Sequence, residues 1–346
     1  MDAQPGTAAW PTGAAAERGS HFLQLTALPH LFQCWLKARR NKGGSARIQR
    51  FGEDPLRYLK TIQDQLRSRA YAFGPYRSFT VKEKKFRDVV DAPMKDRIVH
   101  WMLYDYLLSI WMPRFIADTY GNLPGRGTHA AVRRLANFCR SPSARFVLQL
   151  DISKYFYAVP HSPLKARALR YIGDQDIRRL IVDLIDSWRT DGRYDELFPA
   201  GGAYRSTVDK GMPPGNLPSQ LLANIFLSDF DHWVKQDLGV KRYIRFVDDL
   251  VIIADTADEL RHIDREITQR LAEEGLTIHP HKIRLAPVAA GVPFLGYVAW
   301  PAHVSAGRYI RYRYLQRLRR HESGARDYSE SLSSYRAMFA HTGATR

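Results

Sequence analysis

Hydrophobic positions along this chain switch between two periods, and the switches mark its elements. Between Asp54 and Arg67, apolar residues recur at Leu56, Leu59, Ile62 and Leu66, a spacing that predicts an amphipathic helix. Pro93 to Trp111 reads as a second helix, and Leu23 to Leu36 as one short helix. Farther on, Leu222, Ile225, Phe226, Phe230, Trp233 and Val234 predict one long apolar helical face. Shorter β-prone runs lie between these. Phe79-Thr80-Val81 and Arg87-Asp88-Val89-Val90 suggest two strands around a basic turn, and Phe146 to Leu150 is an apolar run that ends at Asp151. From Arg242 to Ala254, two such runs flank Asp248-Asp249, which predicts a tight hairpin with acid at its tip.

That tip is the first chemical signal. Adjacent carboxylates repel, and a stiff hairpin holding them is hard to justify without a cation, although an acidic pair is also common in a plain solvated turn. Asp151, at the end of a separate apolar run, shifts the balance. Three carboxylates on two strand ends suit a two-metal phosphoryl-transfer site, in which one Mg²⁺ activates a 3′-hydroxyl and the other stabilises the leaving pyrophosphate.

Charge points the same way. The 346 residues carry 52 Lys+Arg against 35 Asp+Glu, a formal charge of +17, which favours polyanions but does not separate nucleic acid from an acidic membrane surface. Hydrophobic residues make up 45%, enough for a core, so a disordered basic tail is excluded. Cys34 and Cys139 have no metal-ligand spacing relative to each other, and His279-Pro280-His281 reads as a loop. Apolar runs too short to span a bilayer, and an amino terminus unlike a signal peptide, lead to an expectation of a cytoplasmic protein with no membrane partner. Residues 1–20, rich in Ala, Gly, Pro and Thr, are expected to lack order. Lys37 to Arg50, with six basic residues, fits either a solvated linker or a nucleic-acid-contacting arm.

Four motifs in order resemble the reverse transcriptase family: Asp151-Ile152-Ser153-Lys154-Tyr155-Phe156, Gly215-Asn216-Leu217-Pro218-Ser219-Gln220, Phe246-Val247-Asp248-Asp249 and Phe294-Leu295-Gly296-Tyr297. Ser219-Gln220 is similar to the polymerases of diversity-generating retroelements, where other subgroups usually carry Ser-Pro. The segment from Ile116 to His129, and Glu83 to Arg87 with Lys95 to Arg97, also resemble that subgroup. Pro214, where members commonly carry an aliphatic residue, departs from it.

The resemblance implies an α+β right-hand polymerase fold with palm, fingers and a small helical thumb. The expected divisions are a basic extension over 1–50, fingers with the start of the palm over 51–148, palm over 149–297 and thumb over 298–346. It also implies roles. Asp151 and Asp248, with the Ile152 carbonyl, would hold two Mg²⁺ ions (Mn²⁺ able to substitute), and Asp249 would be a weaker third acid. Phe156 would be the steric gate against a ribose 2′-hydroxyl, and Lys85 and Arg87 would neutralise the triphosphate. Gly215, Ser219 and Gln220 would lie beneath the nascent base pair and template. Arg97 would contact template or pair with Asp96. Phe294, Leu295, Gly296 and Tyr297 would form the primer grip.

Six arginines and no acid lie between Arg308 and Arg320, with Ile310, Tyr314, Leu315 and Leu318 as an apolar stripe. Such a helix would pack on one face and offer Arg311, Arg317 and Arg320 to a template-primer duplex. The implied activity is RNA-templated DNA synthesis from dNTPs, making mutagenized cDNA in a diversity-generating retroelement. Template RNA, nascent cDNA and a small helical-bundle accessory protein would be partners. The alternatives are a defence-associated or otherwise domesticated reverse transcriptase and, outside enzymes, a basic RNA-binding scaffold on a retained palm. No maturase or endonuclease region is expected after the thumb.

Overall fold

The structure, a computed structural model, describes residues 20–40, 46–82, 86–192, 209–324 and 326–344. From the amino end come α1 (Ser20–Leu25), α2 (Leu28–Arg39), α3 (Ala46–Glu53), α4 (Pro55–Arg67), the β1 (Arg77–Lys82) and β2 (Phe86–Asp91) hairpin, and α5 (Met94–Trp111). Next are β3 (Thr119–Tyr120), α6 (Thr128–Cys139), β4 (Phe146–Asp151), α7 (Tyr155–Ala158), α8 (His161–Ala168) and α9 (Gln175–Asp186). Then follow α10 (Leu217–Phe226), α11 (Ser228–Gln236), β5 (Tyr243–Phe246), β6 (Asp249–Ala254) and α12 (Ala257–Glu273). The chain ends with β7 (Arg284–Pro287), β8 (Val292–Phe294), β9 (Tyr297–Ala299), β10 (His303–Ala306), α13 (Arg308–Glu322), α14 (Ser329–Phe339) and β11 (Gly343–Ala344). This is the expected α+β mixture.

The chain divides into two units, 1–115 with 154–228 and 116–153 with 229–346. The first is built around α5, whose buried residues include Ile98, Val99, Met102, Leu103, Leu107 and Trp111. α2, α3 and α10 pack against it. With neighbours on several sides, α5 is apolar nearly all round rather than along one stripe. Arg77 to Lys82 pairs antiparallel with Phe86 to Asp91, as the two short runs predict.

The second unit holds a five-stranded sheet ordered β3-β5-β6-β4-β7, antiparallel except for β3 beside β5. A second sheet, β11-β10-β9-β8, is antiparallel throughout. α6 packs against β3, β5 and β9, while α12 packs against β4, β6 and β7. On α12, buried Leu260, Ile263, Ile267 and Leu271 form one stripe, and the Thr256 hydroxyl caps the helix by accepting from the Glu259 amide at 3.2 Å. β4, flanked by β6 and β7, buries Val147, Leu148 and Leu150; this explains its near-continuous apolar run.

Two helix expectations need correction. Leu23 to Leu36 is not one helix but parts of α1 and α2. Ala27 is extended, Pro29 sits in the first turn of α2, and the Thr26 hydroxyl donates back to the Phe22 carbonyl at 2.9 Å. The face from Leu222 to Val234 likewise belongs to α10 and α11, separated by buried Leu227 with φ −91° and ψ 8°. Apolar periodicity survives both breaks because the hydrophobic side continues although the helix does not. Within Lys37 to Arg50, α2 extends to Arg39 and α3 begins at Ala46, so the ends of the expected linker are helical. Residues 1–19 lie outside the described residues.

Candidate active site

In the second unit, β4 and β6 bring the three acids together. Asp151 and Asp249 are directly opposed across the antiparallel pair, and the Ile152 amide donates to the Asp248 carbonyl at 3.0 Å. Opposed like charges destabilise a sheet unless something compensates. Phe246 pairs with Asp249, which leaves Val247 and Asp248 as a two-residue turn. Val247 has φ 57°, a left-handed conformation that a β-branched residue enters only when its surroundings impose it.

Those surroundings are identifiable. The Val247 amide donates to the Tyr120 carbonyl at 3.2 Å, and its carbonyl accepts from Arg245 Nη1 at 3.0 Å. Arg245 is fully buried and ion-paired with Asp231 at 2.6 Å. Asp231 also accepts from the Tyr243 hydroxyl and the Thr119 hydroxyl, both at 2.7 Å. Gly121, at φ 93°, lets the backbone approach; a Cβ there would stand 2.6 Å from Val247 Cγ2. A buried, fully hydrogen-bonded ion pair therefore fixes the turn that carries Asp248.

Electrostatics at the acids is unfavourable without a cation. Burial, followed by the Asp151 charge, pushes Asp248 up to about 6. Burial and its two neighbouring carboxylates push Asp249 up to about 7, and it shares a hydrogen bond with Asp151. Lys282 Nζ lies 2.6 Å from Asp151 Oδ2. Ile278 bridges to Ile152 and the His279 amide donates to the Asp151 carbonyl at 2.8 Å, so the turn over Pro280–Lys282 is anchored where its lysine reaches the acid. Three half-buried carboxylates, of which Asp248 and Asp249 have raised affinity for protons, suit a divalent cation held by oxygen ligands.

The other expected site residues behave unequally. In the first unit, half-buried Phe156 lies on α7, and its carbonyl accepts from the Met212 amide at 2.7 Å. Nearby, the Val90 amide donates to the Pro214 carbonyl at 3.3 Å, and Gly215 has φ 86°. Phe156, the glycine loop and β2 are thus assembled within one unit. Gln220 is half-buried on α10, whereas Ser219 is buried. Arg87 pairs with Val81 on β2, while Lys85 lies outside the described residues. Arg97 needs correction: it bonds Asp91 and donates to the Ala92 carbonyl at 3.1 Å, not to Asp96. Asp96 is buried and accepts from the Tyr71 hydroxyl at 2.6 Å and the Gly74 amide at 2.7 Å.

In the second unit, Phe294-Leu295-Gly296-Tyr297 is the β8–β9 turn, with Leu295 and Gly296 at φ 49° and 88°. Phe294 and Tyr297 are buried, and the Tyr297 hydroxyl donates to the Met338 carbonyl at 3.2 Å. On α13, Arg311 and Arg320 are exposed, but Arg317 bonds the Ser331 hydroxyl and lies over the Tyr335 ring of α14. Leu315 is also corrected: it is 50% exposed, beside exposed Tyr312 and Tyr309, so the packed stripe is Ile310, Tyr314 and Leu318.

Residues 80–299 match the sequence profile described as "Reverse transcriptase (RNA-dependent DNA polymerase)". The chain belongs to the reverse transcriptase family. Among its relatives, protein YkfC of Escherichia coli K12 is 29% identical over 183 residues, covering 51% of this chain and 45% of YkfC. The group II intron-encoded protein LtrA of Lactococcus lactis subsp. cremoris is 25% identical over 181 residues, covering 51% of this chain and 28% of LtrA. The match therefore spans less than half the length of either relative. Among solved structures, apo telomerase from Candida tropicalis aligns with a TM-score of 0.48 at 10% identity, covering 66% of this chain and 48% of that one. No described helix is long and apolar enough to cross a membrane.

For this reverse transcriptase-family chain, Asp151 and the Asp248-Asp249 pair were readable from local pattern. Asp231, Arg245 and Lys282 were not. Arg245 sits inside a β-prone run that reads as alternating strand, and Lys282 follows the histidine pair that signals only a loop.

Proposed function

We propose that the chain is an RNA-directed DNA polymerase that extends a primer with dNTPs at the Asp151, Asp248 and Asp249 cluster. The observation that carries this reading is the meeting of three carboxylates at one end of the paired interior strands β4 and β6, two of them with raised proton affinity. Two Mg²⁺ ions, or Mn²⁺ in their place, would supply activation of the primer 3′-hydroxyl and neutralisation of the leaving pyrophosphate. Asp151 and Asp248, with the Ile152 carbonyl, would hold them, and Asp249 would act from the second rank. Lys282 would compete with a cation for Asp151 and keep the acid paired between cycles.

In this reading 51–148 serves as fingers, 149–297 as palm and 298–346 as thumb. Phe156 gates the sugar, and the loop at Gly215 with Ser219 and Gln220 supports the nascent pair. Lys85 and Arg87 face the triphosphate, and the Phe294–Tyr297 turn grips the primer.

The Ser219-Gln220 pair supports a narrower assignment: mutagenic cDNA synthesis in a diversity-generating retroelement, with the element's RNA and a small helical-bundle protein as partners. The similarity to the intron-encoded LtrA favours a second reading, a polymerase of an intron-type element. One experiment separates them. The purified chain, given its adjacent noncoding RNA, Mg²⁺ and dNTPs, should make cDNA whose errors concentrate opposite template adenine. Asp248→Asn should make none while keeping its fold and RNA binding. Evenly distributed errors would remove the retroelement assignment, and near-normal synthesis by Asp248→Asn would remove the active site itself.

A further inference from the structure

Away from the acidic cluster, α2 and α5 bring three metal-ligating side chains to one point within the first unit. His30 and Cys34 stand four residues apart on α2 and so share a face; Asp105 meets them from α5. One ligand atom from each lies within 4.8 Å of the other two. We propose that His30, Cys34 and Asp105 form a Zn²⁺ site that fastens α2 to α5, with water as the fourth ligand.

The orientation of His30 supports this. Its Nδ1 lies 2.8 Å from the Leu25 carbonyl oxygen, and its Nε2 lies 3.9 Å from the Cys34 sulfur. Donation from Nδ1 to a backbone carbonyl fixes the tautomer that presents a lone pair at Nε2, the usual support of a metal-bound histidine. Tetrahedral bonds of about 2.3 Å to sulfur and about 2.0 Å to nitrogen place those two atoms about 3.5 Å apart. The pair is already within ~0.4 Å of that separation.

Ligand chemistry selects the ion. One thiolate, one imidazole and one carboxylate form a borderline-soft set that suits Zn²⁺ and supplies too few oxygens for Mg²⁺ or Ca²⁺. Lys37 Nζ lies 2.6 Å from Asp105 Oδ2, so a bound ion would share the carboxylate with that ammonium group. Sequence spacing hid the site because the informative interval is His30 to Cys34, not Cys34 to Cys139.

The test uses the full chain without a histidine tag. After Zn²⁺ loading and dialysis it should retain about one zinc per chain. Titration with Co²⁺ alone should produce a near-ultraviolet thiolate-to-cobalt band that disappears in Cys34→Ser and persists in Cys139→Ser. His30→Gln and Asp105→Asn alter half-buried positions and keep the test decisive if Cys34→Ser does not fold. Each should weaken zinc binding about tenfold or more with helical circular dichroism preserved. A wild type without the cobalt band, a band that survives Cys34→Ser, or unchanged zinc affinity in both other variants would overturn the site.

Discussion

At the scale of single residues, the acids at the β5–β6 turn give a pH test independent of catalysis. Asp248 and Asp249 rise from the ordinary 3.8 to about 6 and about 7. The metal-free folded chain thus retains protons that the unfolded chain has released. Stability from this source is complete below the unfolded value near 3.8 and lost as pH rises through 6 to 7. Replacing Asp249 by Asn removes that loss. In chelator, Asp249→Asn should melt above wild type at about pH 8, with the gap shrinking toward about pH 5. Added Mg²⁺ should narrow the gap at high pH by stabilising wild type more. A gap constant across pH would mean that the cluster is not strained. The same residues predict that polymerisation falls as pH drops below about 7, because protons then compete for metal-binding oxygens.

At the scale of elements, the hairpin turn depends on a partner outside it. Asp231 on α11 accepts from Arg245, Tyr243 and Thr119, and Arg245 in turn holds the Val247 carbonyl. Asp231→Ala takes the carboxylate away from the buried Arg245 guanidinium, and should cost about 3–5 kcal/mol in urea denaturation. Where the variant remains folded at low temperature, primer extension should be slowed as well, since Val247 loses its restraint. A loss under about 1 kcal/mol would show that the pair is replaceable.

Helix α13 divides its arginines between two tasks. Arg311 and Arg320 are exposed, while Arg317 is turned to α14. Arg311→Gln with Arg320→Gln should therefore weaken template-primer binding and flatten its salt dependence by about 0.7 to 0.9 in slope per lost phosphate contact. Arg317→Gln should instead lower melting temperature with little change in that slope. Equal slopes in wild type and the double variant would make the exposed arginines bystanders.

At the scale of the whole molecule, the charge of +17 predicts strong binding to unrelated duplexes at low salt that falls steeply as salt is raised. Filter binding with scrambled RNA–DNA duplexes checks this, and a shallow dependence would mean the charge is not gathered where nucleic acid binds. Local pattern determined much of the rest. The helices over α4 and α5, the β1–β2 hairpin and the acidic hairpin tip follow from apolar period and turn residues, which act over a few positions of chain. The placement of Asp151 opposite Asp249, however, is a register between strands far apart in sequence, and only the sheet fixes it. Helix breaks at Thr26-Ala27 and Leu227 escaped because buried apolar faces continue across them. Asp231, Arg245 and Lys282 escaped for a related reason. A buried ion pair and a lysine against an acid are defined by partners, and partners separated by 14 residues (Asp231 to Arg245) or 131 residues (Asp151 to Lys282) meet only when tertiary packing removes water from between them.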